Sequence, residues 1–292
     1  KQITFLQDRY TSFYDAFRPY TNFNKNLYTG FEIGMNFNKT YEDFSITLGA
    51  NLLYSQTERT KRSEVFAEDY LQTQGREIST IFGLVDQGFY TEADFDSDGD
   101  LNASLPVPQF GLVQPGDIKY QDLNGDNIID NDDRRAIGQS SSPWTYALNL
   151  NLNYKRFNLF VLAVGQSGAQ GNKLNNSFNE YYSVDGNDKY SEVVLGRWTP
   201  STASTATFPR LSSQANQNNF RQSTFWLYDT SYFNISRAQI TYEFEDVFCK
   251  KLGIEDFSLN LSGTNLFEIG ENRDVRQLRI GTAPLTRSFT LG

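Results

Sequence analysis

The segment 144-WTYALNLNLNY-154 alternates with a strict period of two. Tyr146, Leu148, Leu150, Leu152 and Tyr154 fall on one face of an extended chain, with Ala147, Asn149, Asn151 and Asn153 on the other. A helix would scatter both rows round its circumference, so the segment reads as a strand whose two faces need different surroundings. The apolar row carries tyrosine at both ends and spans about 26 Å, or roughly 20 Å once the strand is tilted. That is close to an outer-membrane hydrocarbon band bounded by aromatic girdles, with the asparagine row turned to a wet lumen. A soluble β-sandwich with one hydrated face is the competing arrangement.

The same pattern recurs along the chain. After 155-KRFN-158, Phe157, Leu159, Val161 and Ala163 resume the apolar row, while Phe160, Leu162 and Val164 make the opposite face apolar too. That wall is expected to meet a drier part of the interior. Earlier, 28–37 places Phe31, Ile33, Met35 and Phe37 on one face, and 44–55 places Phe44, Ile46, Leu48, Ala50, Leu52 and Tyr54 on one face. Between them 38-NKTYED-43 turns the chain. Segments 226–244, 257–268 and 286–292 read as further strands, with a weaker candidate at 2–13, which brings the count to about eight. Tight turns at 38–43 and 155–158 alternate with long excursions at about 58–143 and 167–224, the asymmetry of periplasmic turns and extracellular loops in a membrane barrel.

Composition narrows the function. Tyr 17, Phe 24 and Trp 3 make the chain 15% aromatic, yet mean hydropathy is −0.54 and no apolar run approaches the ~18 residues of a membrane helix. A net charge of −9 argues against nucleic acid as a partner. No histidine is present, which removes Ser-His-Asp and Cys-His catalysis and imidazole zinc sites together. Cys249 is the single cysteine, so no internal disulfide forms, and 1-KQITFLQDRY-10 has no apolar core of a signal peptide. Carboxylate pairs such as Glu243/Glu245 and Glu64/Glu68 lack any sign of a cleft between them, and no glycine-rich phosphate loop links a strand to a helix. The chain is not expected to be an enzyme. Loop aromatics Tyr181, Tyr182, Tyr190, Trp198, Trp226 and Tyr228 suit sugar stacking or a protein partner, though packing of the loops on each other is the commoner use of any one of them.

One loop carries a recognisable donor pattern. In 122-DLNGDNIIDNDD-133, Asp122, Asn124, Asp126, Asp130 and Asp133 occupy positions 1, 3, 5, 9 and 12 of a calcium-binding loop, and Ile128 at position 7 offers its backbone carbonyl. Asn127 stands where such loops usually have glycine, and asparagine tolerates the left-handed conformation. The expectation is a structural calcium ion that fixes a long loop where no apolar core is available; the alternative is an acidic solvated turn. A second acidic stretch, 94-DFDSDGDLN-102, has Leu105 where a closing carboxylate would stand, and reads as a plain turn.

From Pro115 to Trp144 in particular, the sequence resembles the SusC-like, or RagA-like, TonB-dependent outer-membrane transporters of Bacteroidota. Supporting segments are 74-QGREISTIFGLVDQGFYT-91, 197-RWTPSTASTATFPRLS-212, 225-FWLYDTSYFNISRAQITYEF-244 and 258-SLNLSGTNLF-267. The resemblance implies an all-β chain, a transmembrane antiparallel β-barrel segment from the C-terminal part of a 22-stranded barrel, with long extracellular loops. It implies an outer-membrane nutrient importer of oligosaccharides or peptides, capped by a SusD-like surface lipoprotein. Residues 1–292 then correspond to about the last third of such a transporter, and the plug and the TonB box that couples it to TonB are expected outside this chain. Two other roles fit the same residues: an accessory subunit of a larger outer-membrane assembly, and a soluble calcium-stabilised glycan-binding module.

Overall fold

The structure, a computed structural model, describes residues 2–5, 20–175, 192–212, 216–277 and 285–292. Its strands are β1 (Gln2–Phe5), β2 (Tyr20–Tyr41), β3 (Phe44–Lys61), β4 (Thr80–Gly83), β5 (Asp86–Phe89), β6 (Val107–Pro108), β7 (Ile118–Tyr120) and β8 (Ile128–Ile129). They continue with β9 (Arg135–Gln139), β10 (Trp144–Tyr154), β11 (Phe157–Ser167), β12 (Gln170–Asn172), β13 (Leu227–Asp229), β14 (Tyr232–Glu243), β15 (Ser258–Ile269) and β16 (Ser288–Leu291). Two short helices, α1 (Asp246–Leu252) and α2 (Arg273–Gln277), lie in connections after β14 and β15. Eight strands form one sheet in the order β1-β2-β3-β10-β11-β14-β15-β16.

The strands expected at 28–37 and 44–55 are longer than their apolar rows, running to Tyr20–Tyr41 and Phe44–Lys61. Polar residues beyond the rows extend them, because backbone pairing continues after hydrophobic alternation stops. Only Glu42 and Asp43 make the turn, with Glu42 at φ 34°. The segment at 226–244 is split: β13 leaves the main sheet to pair with β12, and β14 begins at Tyr232. Of the weak candidate at 2–13, β1 accounts for Gln2–Phe5, and 6–13 lies outside the described residues.

Contacts divide the chain into two compact units. The sheet unit comprises 28–56, 141–169 and 229–292. Within it, Leu150 pairs with Leu48 on one side and Val161 on the other, and Val161 with Ala238, so the apolar row crosses the strands at one level. A level nearer the tight turns joins Phe44, Tyr154, Phe157, Tyr242 and Leu259. The ladder slips between Ile235 and Arg237, a β-bulge that lets Ile235 and Ala238 meet Ala163 and Val161 on the same face despite their odd separation. On the opposite face the asparagines bond sideways. Asn158 Nδ2 donates to Asn151 Oδ1 at 2.7 Å and also to Asn153 Oδ1, and Asn153 Nδ2 donates to Ser45 Oγ at 3.1 Å.

The loop unit comprises 1–27, 57–140 and 170–228. Small ladders order it: β4 with β9, β5 with β7, and β6 with β8, the last parallel. Its core holds Leu84, Tyr90, Ile118, Tyr120, Ile129, Phe208 and Trp226, all buried. Phe225 packs edge-on against Trp226 at 4.8 Å between centroids, and Phe208 does so at 5.8 Å. The excursions between main strands are therefore a packed body with an apolar core of its own. The sequence reading that no core was available to them is corrected: their apolar residues are dispersed over more than a hundred positions and gather only through long-range pairing.

Candidate functional site

Two polar arrangements stand out in the loop unit. The first centres on Asp117, whose side chain is wholly buried. Arg210 Nε lies 2.8 Å from Asp117 Oδ1, and Asn216 and Asn219 donate side-chain N–H bonds to the same oxygen at 2.9 and 2.8 Å. Gln114 N donates to Oδ2 at 2.8 Å. Asn219 also accepts from Ile118 N through its side chain and from Trp226 Nε1 through its carbonyl, each at 2.8 Å. Gly116 turns the chain into this site at φ 90°, where a Cβ would run into the Trp198 ring. Buried charge in such a place is tolerated when it is paired and bonded, and both Asp117 oxygens accept hydrogen bonds here. Sequence reasoning missed this cluster, because nothing in Asp117 alone points to residues ninety positions away. Two of the segments that carry the family resemblance, 115–161 and 197–212, meet in it.

The second is the acidic loop 122–133. Asp122 accepts Gly125 N at 2.7 Å and Asn127 N at 2.9 Å, with Gly125 at φ 78° and Asn127 at φ 64°. Asn124 Oδ1 accepts Asp126 N, Asn124 Nδ2 donates to Asp126 Oδ2, both at 3.1 Å, and Asp126 Oδ1 accepts Ile128 N at 2.8 Å. Asp122, Asn124 and Asp126 are thus gathered by short-range bonds. Asp130 and Asp133 form a different group. Asp130 Oδ1 accepts Asp132 N at 2.7 Å, while the buried Asp133 accepts Asp130 N at 2.8 Å and Leu123 N at 2.7 Å, clasping the two ends of the loop together. Among the described residues no three acidic side chains converge as a metal-holding group. Backbone N–H groups already claim the carboxylates, so the loop's shape does not by itself require an ion.

Burial pushes the Asp133 carboxyl above its ordinary value; N–H bonds from Asp130 and Leu123 oppose the rise without cancelling it, and the Asp122 charge adds to it. Tyr70 donates its hydroxyl to Asp132 O at 2.7 Å and is pushed up to about 12 by burial, then by Glu68, Asp133, Asp132 and Asp122. The loop's last strand is anchored from outside the acidic run: Val107 N donates to Asn127 O and Gln109 N to Ile129 O, each at 2.9 Å, beside the buried Ile129. In the second acidic stretch, Asp94 instead pairs with Lys119 at 3.0 Å and caps Thr91. Of the loop aromatics, Trp198 and Trp226 are core residues, and Tyr181, Tyr182 and Tyr190 lie outside the described residues.

No family model matches the chain. It is 26% identical over 296 aligned residues to TonB-dependent receptor P3 of Formosa agariphila, covering 90% of this chain and 28% of that protein. It is 28% identical to TonB-dependent receptor P26 of the same organism over 58% of this chain and 17% of the relative. Among solved structures, the RagAB peptide transporter superposes at TM-score 0.60 and 16% identity, covering 90% of this chain and 28% of the solved one. The RagAB peptide importer in its open-open state superposes at 0.65 and 16% identity, covering 95% and 30%. This chain spans less than a third of the length of each of these proteins. In sequence, then, this chain is similar to TonB-dependent receptors, and its antiparallel sheet and packed loops share their fold with part of the RagAB structures.

Proposed function

We propose that this chain is the C-terminal barrel segment of an outer-membrane importer that takes up peptides or oligosaccharides together with a SusD-like lipoprotein. The observation that carries the reading is the division of the sheet unit into two faces. Leu48, Leu150 and Val161 align across three strands on one face, and Asn151, Asn153, Asn158 and Ser45 bond to one another on the other. Lipid requires the first face and a hydrated lumen the second, and backbone pairing within the sheet satisfies the polar groups that a membrane would otherwise leave orphaned. Among the described residues no helix is long and apolar enough to cross a membrane.

The loop unit is the surface offered to a lipoprotein partner, because the turns at Glu42–Asp43 and Lys155–Arg156 are too short to form an interface. TonB would act through a plug region outside these residues. The finer proposal for the acidic loop is a calcium ion on Asp122, Asn124, Asp126, Asp130, Asp133 and the Ile128 carbonyl, supplying a countercharge to the carboxylates. The function is tested by expressing the full-length protein that carries this chain in its native host. Heat-modifiable migration in gel electrophoresis, fractionation with the outer membrane and co-purification of a lipoprotein in mild detergent are expected. Recovery in the soluble fraction without detergent overturns the barrel, and recovery of the membrane protein alone overturns the partner.

A further inference from the structure

The connection between β14 and β15 differs from the other turns at its end of the sheet. Between β2 and β3 and between β10 and β11 two residues suffice, whereas residues 244–257 here build α1. The helix is stopped by Gly253 at φ 72°, whose N–H donates to Lys250 O, and Ile254 N reaches back to Cys249 O at 3.1 Å, a left-handed cap that fixes the helix end. Cys249 is wholly buried beneath the helix. At 100° per residue Val247, Phe248, Lys250 and Lys251 then fan over the arc opposite it, and Val247 is 62% exposed. Neither lysine is ion-paired among the described residues. Of the acids at this connection, Glu245 faces Arg156 at 3.6 Å, Glu243 and Asp246 lie before the lysines, and Glu255 and Asp256 follow Gly253.

This arc continues the apolar face of the sheet. Phe157 meets Tyr242 at 4.7 Å between centroids, Tyr242 meets Phe244 at 4.9 Å, and Phe244 stacks on Phe248 at 5.2 Å and lies 4.8 Å from Phe257. Aromatic surface therefore runs without a break from the row that ends in Tyr154, Phe157 and Tyr242 onto the helix. Aromatic rings at such a level prefer the boundary of a bilayer, and lysines with apolar stems reach from there to the phosphates.

Resting on the barrel reading, we propose that α1 is an interfacial anchor that binds phospholipid on the tight-turn side of the membrane. Val247 and Phe248 lie among the upper acyl carbons, and Lys250 and Lys251 engage the headgroup phosphates. Electrostatic attraction of paired lysines to anionic headgroups strengthens with the negative charge of the leaflet, so α1 ties the depth of this edge of the barrel to lipid composition.

The test uses nitroxide-labelled single-cysteine variants of the full-length protein, with Cys249→Ala as background, in vesicles of phosphatidylethanolamine with phosphatidylglycerol. A label at Val247→Cys is expected to be relaxed by oxygen and shielded from a water-soluble nickel chelate. A label at Asp43→Cys, on the turn between β2 and β3, is expected to show the reverse. Lys250→Glu with Lys251→Glu should shift the 247 label toward the chelate, as should replacing phosphatidylglycerol by phosphatidylcholine. A label at Leu150→Cys reports the barrel itself. Oxygen relaxation at 150 with chelate relaxation at 247, or protection of 247 from both reagents, overturns the anchor alone; chelate relaxation at 150 overturns the barrel. Insensitivity of the 247 label to charge reversal and to lipid charge overturns the headgroup contact.

Discussion

Arg210 and Asp117 stand 93 residues apart in sequence, yet the guanidinium lies against the carboxylate at 2.8 and 3.1 Å in the interior of the loop unit. Their bond joins the β7 segment to the stretch preceding Trp226. Asp117→Ala leaves Arg210, Asn216 and Asn219 without their common acceptor. Removing one member of a buried pair costs about 3–5 kcal/mol, most of it from the groups left unpaired. The loop unit is expected to lose hydrogen-exchange protection at Ile118, Tyr120 and Trp226, while heat-modifiable migration of the barrel persists. Arg210→Ala should be milder, because Asp117 keeps the donors of Gln114, Asn216 and Asn219. Equal losses in the two variants would show that the cluster needs the arginine as much as the carboxylate, and that the remaining donors do not hold Asp117 without it.

The register of β10 makes a sharper test of the membrane reading. Leu150 lies between Leu48 and Val161, and Asn151 between Thr47 and Phe160. Leu150→Arg puts a charge at mid-depth on the lipid side and is expected to cost about 2–4 kcal/mol in unfolding from vesicles, with Asn151→Arg much less costly. A slip of one residue would exchange the two outcomes.

Glu77 gives a pH dependence with a defined sign. Burial raises its carboxyl, but Thr57 N and Oγ1 at 2.6 and 2.7 Å and Ser79 Oγ at 3.0 Å outweigh that and hold it below its ordinary 4.5. A carboxyl lowered in the folded state adds stability above its unfolded value and loses it as pH falls through its folded value. Exchange protection at the Thr57 and Ile78 amides should therefore decline on acidification below about pH 4.5. Glu77→Gln should show reduced protection at neutral pH and a flatter acid response.

How far the sequence revealed these features depended on the range of the interactions. The period of two in 144–154 and 157–166 reported directly on a face, since side chains alternate whatever the partner strand is, and β10 and β11 run Trp144–Tyr154 and Phe157–Ser167. Register faults were hidden: the bulge near Ser236 changes the parity of β14 without any glycine or proline to mark it. The loop core was hidden for a different reason. Ile118, Phe208 and Trp226 are far apart in the chain and follow no period, so only the fold identifies them as neighbours. Helix α1 was passed over because seven residues are too few to display a helical repeat.

The acidic loop showed both kinds of signal, and the calcium proposed for it has its own test. Asp122, Asn124 and Asp126 act over two to five residues, as their spacing suggested, whereas Asp133 turns inward to bridge Leu123 and Asp130. These bonds hold the loop without metal, in two groups of acidic side chains, and burial already disfavours the charge on Asp133. A carboxyl raised in the folded state is easier to keep protonated, so that group's cost to stability grows as pH rises through its raised value. Calcium would offset this cost at neutral pH and be displaced by protons as pH falls. Chelation at neutral pH is therefore expected to raise protease cleavage between Gly116 and Gly138 without disturbing the barrel. Asp122→Ala with Asp126→Ala should give the same cleavage with calcium present. Asp133→Asn separates the two readings: it removes a calcium ligand's charge but keeps an oxygen for the Leu123 or Asp130 amide. If it abolishes the chelation response, the carboxylate serves an ion. If the wild-type protein shows no response to chelation at all, the loop is an acidic turn closed by its own backbone.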